Sequence, residues 1–164
     1  MSGFNNKATI SHCGNYRYWL ERKWDERHPQ VFIMLNPSTA DANEDDRTIR
    51  RCINFAKREN AGGIIVVNLF AYRATNPKYL SSCIDPVGAE NISNIRTALL
   101  YGKVTERSII CAWGANKLSK PEAEKVKRRA KDIGVKLVCF DFNADLSPKH
   151  PLYVTSNTQL KVYL

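Results

Sequence analysis

Three side chains stand where apolar runs give way to polar loops, and each could do group-transfer chemistry. They are Asn36 in Met34-Leu35-Asn36-Pro37-Ser38, Asn68 in Val67-Asn68-Leu69-Phe70, and His150 in Lys149-His150-Pro151. An amide abutting an apolar strand is costly to bury without partners, so Asn36 and Asn68 read as groups kept for binding. A histidine donates to a developing anion whether it is neutral or charged. Asp41, Asp45 and Asp46 follow Asn36 closely, and carboxylates are candidates for acid–base work. Plainer readings stand beside these. Asn-Pro initiates turns, Asn68 could tie two loops together, His150 could sit in an exposed loop, and Asp46 suits a helix cap. The acids also raise a metal site, but no histidine or second acid cluster matches them, so neither metal nor cofactor is expected. The sequence has no glycine-rich phosphate loop of Walker or Rossmann type and no Gly-x-Ser-x-Gly elbow.

The elements that must position these residues are legible in the apolar pattern. Val31–Leu35, Ile64–Phe70, Ser108–Trp113 and Lys136–Phe142 are short runs rich in Val, Ile and Phe, suited to strands buried on both faces. Helical stripes separate them. Ile49, Cys52, Ile53 and Ala56 follow Asp46 and end before Gly62-Gly63. Ile92, Ile95 and Leu99 follow Asp85-Pro86, read as a cap with proline at the first helical position. Ala123, Val126, Ala130 and Ile133 follow a capping box at Ser119 and Glu122 and stop at Gly134. Alternation over residues 8–24, with Cys13-Gly14-Asn15 as the turn, predicts an antiparallel hairpin. The expectation is one α/β domain over residues 1–164: three layers, α-β-α, with a four-stranded mostly parallel central sheet plus an N-terminal edge hairpin. Ligands of such sheets bind outside the carboxyl ends of the strands, where all the candidate residues lie.

Bulk properties narrow the class. The balance of 43% apolar and 25% charged residues is that of a folded domain. No run approaches the length that spans a bilayer, and Met1 to Lys7 has no apolar stretch, so neither a membrane protein nor a secretory signal is expected. The cysteines at 13, 52, 83, 111 and 139 lie no closer than 28 positions apart. Cys52, Cys111 and Cys139 fall within apolar runs and read as buried reduced thiols in a cytoplasmic, monomeric protein. The net charge is +9, and a surplus of six positive charges lies between Lys103 and Lys136. That concentration fits either a polyanionic partner or a solvated basic helix.

Taken in order, the four strand exits resemble the uracil-DNA glycosylase superfamily, its mismatch-specific branch most of all. Met34-Leu35-Asn36-Pro37 stands at the water-handling loop, Asn68 at the base-reading amide, Trp113-Gly114 after the third strand, and His150-Pro151 at the loop stabilising the leaving base. Leu-Asn-Pro-Ser-x-Ala-Asp, followed by Val-Asn-Leu-Phe-Ala-x-Arg-Ala-Thr, is also similar to a bacterial and phage family of unknown function. The resemblance implies an enzyme hydrolysing the N-glycosidic bond of a flipped, damaged or modified base in DNA, in repair or in defence. Asn36, His150 and Asp41 would be catalytic. Asn68, Phe70, Pro37, Ser38 and Arg73 would bind the base, and Lys117, Lys125, Arg128, Arg129 and Lys149 the DNA phosphates. The pattern also departs from the superfamily. Met34 replaces a glycine, Ser38 replaces an aromatic, no aspartate follows in the water loop, and Leu152-Tyr153 replaces Ser-Pro. Two further readings stay open: an inactive DNA-binding module, and a hydrolase or transferase of free nucleotides.

Overall fold

The computed structural model describes residues 4–164; Met1 to Gly3, part of the segment read for a leader, lie outside the described residues. The chain runs β1 (Lys7–Ile10), β2 (Arg17–Lys23), β3 (Gln30–Met34), α1 (Arg47–Arg58), β4 (Gly63–Asn68), α2 (Asn91–Val104), β5 (Ile109–Cys111), α3 (Ser119–Ile133), β6 (Leu137–Cys139) and β7 (Lys161–Val162). Short 3-10 turns lie at Pro77–Leu80 and Pro151–Tyr153.

The strands form one seven-stranded sheet in the order β1-β2-β4-β3-β5-β6-β7. It is mixed. Pairs β1–β2, β2–β4 and β6–β7 are antiparallel, whereas β3–β4, β3–β5 and β5–β6 are parallel. The expected four-stranded, mostly parallel sheet is therefore corrected to a seven-stranded mixed one within an α/β fold. The hairpin is no appendage: β2 pairs with β4 from Leu20 to Lys23, so both of its edges are hydrogen-bonded. β7 is two residues long, too short for any periodicity to reveal it.

The central strands are buried on both faces, which is why β3 and β4 read as unbroken apolar runs. On one face Phe32, Met34, Ile64 and Val66 meet Ile49, Cys52, Phe55 and Ala56 of α1. On the other, Val31, Ile33, Ile65 and Val67 meet Ile95, Ala98 and Leu99 of α2 and Ala123, Val126 and Ala130 of α3. The Asp46 carboxylate caps α1 by accepting from the Ile49 N–H at 2.9 Å. Two helix starts differ from expectation. The Asp85 carboxylate accepts from the Gly88 N–H at 3.0 Å, closing a turn, and α2 begins only at Asn91. Ser119 is itself helical, and its hydroxyl donates to the Asn116 carbonyl at 2.7 Å in place of a capping box. Gly134 ends α3 at φ +80°, where a side chain would be strained. Cys52, Cys111 and Cys139 are buried free thiols, and burial pushes the thiol of Cys139 up to about 11.

Candidate functional site

Strands β4, β3, β5 and β6 lie side by side and run in the same direction, so the segments leaving them open on one edge of the sheet. A cleft of about 570 Å³ occupies that edge, with Asn36, Asp46, Arg47, Trp113, His150 and Tyr153 on its walls. This is the size of an ordinary small-molecule site. A deeper pocket of about 110 Å³ is lined by Asn36, Asn68 and His150 together with Arg17, Asp46 and Trp113. Three different strand exits thus deliver the two amides and the imidazole to one cavity.

Their hydrogen bonds fix what each can offer. The Asn36 amide nitrogen donates to the carbonyls of Ala74 at 2.8 Å and Pro37 at 3.1 Å. Its oxygen is left free to accept from a ligand or a water. Asn68 is only 2% exposed, yet neither its side-chain oxygen nor its nitrogen has a partner. Its backbone carbonyl is held by the Asn91 amide at 2.9 Å, so the side chain is anchored with one donor and one acceptor unspent. Unpaired buried groups destabilise the free protein. Replacing Asn68 by Leu, of similar shape, should therefore raise stability by about 1–3 kcal/mol. Thermal unfolding of the two proteins checks this, and a variant less stable than the wild type would contradict it.

His150 begins the turn Pro151–Tyr153, and its Nδ1 accepts from the Leu152 N–H at 3.2 Å. The ring proton therefore belongs on Nε2, as a donor. Burial lowers the imidazole from 6.5 to about 4, with the Asp46 carboxylate opposing weakly, so the ring is neutral at physiological pH. The unfolded chain takes up this proton first. Stability from the neutral ring is present in full above about pH 6.5 and is lost as the pH falls toward 4. The loss amounts to about 3 kcal/mol at most. His150→Asn should flatten the stability profile over that window, as denaturant titrations at several pH values would show. An unchanged slope would mean that the ring is not held neutral.

The structure sorts the remaining candidates. Pro37 and Ser38 line the deep pocket. The three aspartates divide. The Asp41 carboxylate turns into its own loop, accepting from the N–H groups of Asn43 and Glu44 at 2.8 and 2.9 Å. Asp45 pairs with Arg22 at 2.8 Å. Asp46 alone of the three lines the cleft; the Asp41 carboxylate expected there is not among the lining residues. Phe70 is buried in the core against α2, where no base can stack on it; the aromatic rings at the cleft are Trp113 and Tyr153. Arg73 ties loops together by donating to the carbonyls of Ser38 at 3.2 Å and Gly14 at 3.3 Å.

The expected phosphate contacts are scattered. Lys117 lies in a neighbouring groove beside α3, and Lys149 stands 3.7 Å from Asp141. Lys125 pairs with Glu122 at 2.8 Å. Arg128 and Arg129 lie about 14 Å along α3 from its cleft end, at the usual helical rise. At the cleft itself the exposed cation is Arg47, in the first turn of α1. Sequence reasoning did not place Arg17, Arg47 or Asp46 at the cleft and its deeper pocket. Arg17 sits in an alternating strand, where its position among polar neighbours hides that it is only 2% exposed.

Among the described residues there is no group of three or more His, Cys, Asp or Glu side chains that could hold a metal ion. No helix among them is long and apolar enough to cross a membrane. No curated protein and no solved structure matches the chain. Residues 17–152 do match a family model, a span from Arg17 to just past His150 that takes in every residue lining the deep pocket. The chain belongs to the family described as Protein of unknown function (DUF1643).

Proposed function

We propose that this protein is a DNA glycosylase-like hydrolase that cleaves the N-glycosidic bond of an extruded base. The observation that carries the reading is the unpartnered Asn68 amide at the bottom of a pocket shared with Asn36 and His150. One donor beside one acceptor matches a base edge, and a pocket beneath a wider cleft suits a base swung out of its stack. The resemblance to the uracil-DNA glycosylases rests on these same residues. Free buried thiols fit a reducing compartment such as the cytoplasm.

In this reading Asn36 Oδ1 holds a water by accepting a hydrogen bond from one of its O–H groups, and that proton stays on the oxygen. The water oxygen bonds to C1′ as the C1′–N bond breaks, and the bonding pair leaves with the base. The water's other proton passes to Asp46 and then, through solvent, to the base. His150 Nε2–H donates to the base as negative charge builds there. The products are a free base and an abasic sugar.

The test is incubation with single- and double-stranded DNA carrying a panel of normal, deaminated, oxidised and alkylated bases, scored for abasic sites. Binding should weaken steeply with salt, and Arg47→Glu should reduce it on every sequence alike. Abasic sites on none of these substrates would overturn the enzymatic reading. Salt-dependent binding without release would leave a DNA-binding module, and release from free nucleosides alone would leave a nucleoside hydrolase.

A further inference from the structure

Arg17 opens β2 and lines the deep pocket beside Asn68. It is 2% exposed. Its Nη1 donates to the Ala40 carbonyl at 2.9 Å, while its Nε is buried without a partner. No carboxylate stands within ion-pairing distance of it among the described residues. Of the charged groups around it, Asp46 favours its charge, whereas Arg22 and Arg73 repel it; the neutral Cys52 thiol also faces it from α1. Burial lowers the guanidinium to about 10, so it remains a cation at neutral pH.

An underpaired buried cation costs several kcal/mol in the free protein. The bond to the Ala40 carbonyl answers only part of that cost, since Nε stays unpaired. A ligand that brings negative charge into the pocket removes that cost.

We propose that Arg17 makes the deep pocket a receptor for an anionic planar nitrogen heterocycle, the form in which an excised base departs. This rests on the base-excision reading of the same site and adds a charge to it. The neutral imidazole of His150 supplies one directed hydrogen bond, and Arg17 supplies a full positive charge behind the ring. The bonding pair released by the broken C1′–N bond then settles on a base facing a cation, and protonation from solvent follows.

The probe is free 5-fluorouracil, whose fluorine resonance shifts when a ring nitrogen loses its proton. Bound to the wild-type protein, its ionisation should fall by about one to three pH units relative to solution, the effect of an opposite charge within a few ångströms. The titration is read above the range in which His150 protonates. Arg17→Met should abolish the fall, and Arg17→Lys, which keeps the charge, should retain part of it. If Arg17→Met fails to fold, the wild-type spectra and the lysine variant still give the answer.

Lowered ionisation on a protein that makes no abasic sites would sustain the anion pocket while the excision reading failed. Abasic sites from a protein whose bound 5-fluorouracil ionises as in solution would overturn the anion pocket and leave excision standing. No binding of 5-fluorouracil at any pH, or a shift that survives in Arg17→Met, would likewise overturn it.

Discussion

Asp46→Asn should lower base release by about a hundred- to ten-thousandfold, the range for losing a general base, and should leave the fold intact. Asn caps helices as well as Asp does, so the bond to the Ile49 N–H, 2.9 Å in the wild type, survives the change. What disappears is the carboxylate charge shared by the cleft and the deep pocket. Asp41→Asn is the matched control. Its carboxylate serves the N–H groups of Asn43 and Glu44, so activity should be unchanged and any loss should appear in stability. Single-turnover release of base from DNA, with thermal unfolding measured alongside, separates the two. An active Asp46→Asn enzyme, or an Asp41→Asn enzyme equally impaired, would return the carboxylate role to where the sequence first pointed.

His150→Ala and Asn36→Ala should each reduce release by about ten- to a thousandfold, as loss of a transition-state donor or water holder does. DNA affinity should stay close to that of the wild type, because neither side chain is a phosphate-binding cation. The two should differ in detail. His150→Gln keeps an N–H donor and should recover part of the rate. Asn36→Asp keeps the oxygen but loses the amide bonds to the carbonyls of Ala74 and Pro37, so it should gain little. Filter binding and product assays on the same DNA give both quantities. Equal loss of affinity and rate in His150→Ala would mean that it holds the ground state instead.

Much of this was legible because local chemistry determines it. Unbroken apolar runs announced β3 and β4, Asp46 and Gly134 marked helix ends, and Cys52, Cys111 and Cys139 fell where buried thiols belong. Those signals act within a few residues of themselves, through capping bonds, side-chain periodicity and burial. The candidates Asn36 and Asn68 were legible for a related reason: a polar side chain directly after a buried strand is expensive unless it is used; His150, well beyond β6, was singled out by its His-Pro loop.

Direction and neighbourhood were a different matter. Whether β2 joined the sheet through β4, and whether the final residues added β7 beside β6, depended on pairings between segments far apart in sequence, which no local pattern encodes. The same holds inside the site. Asp41, Asp45 and Asp46 are chemically identical in the sequence, and only the folded loop assigns one to a turn, one to Arg22 and one to the cleft. Arg17 reads as the solvent-facing half of an alternating strand, but tertiary structure closes the 36–41 loop over it and buries its charge. A side chain's type sets what it can do; which atoms remain unpaired to do it is decided by how distant segments meet.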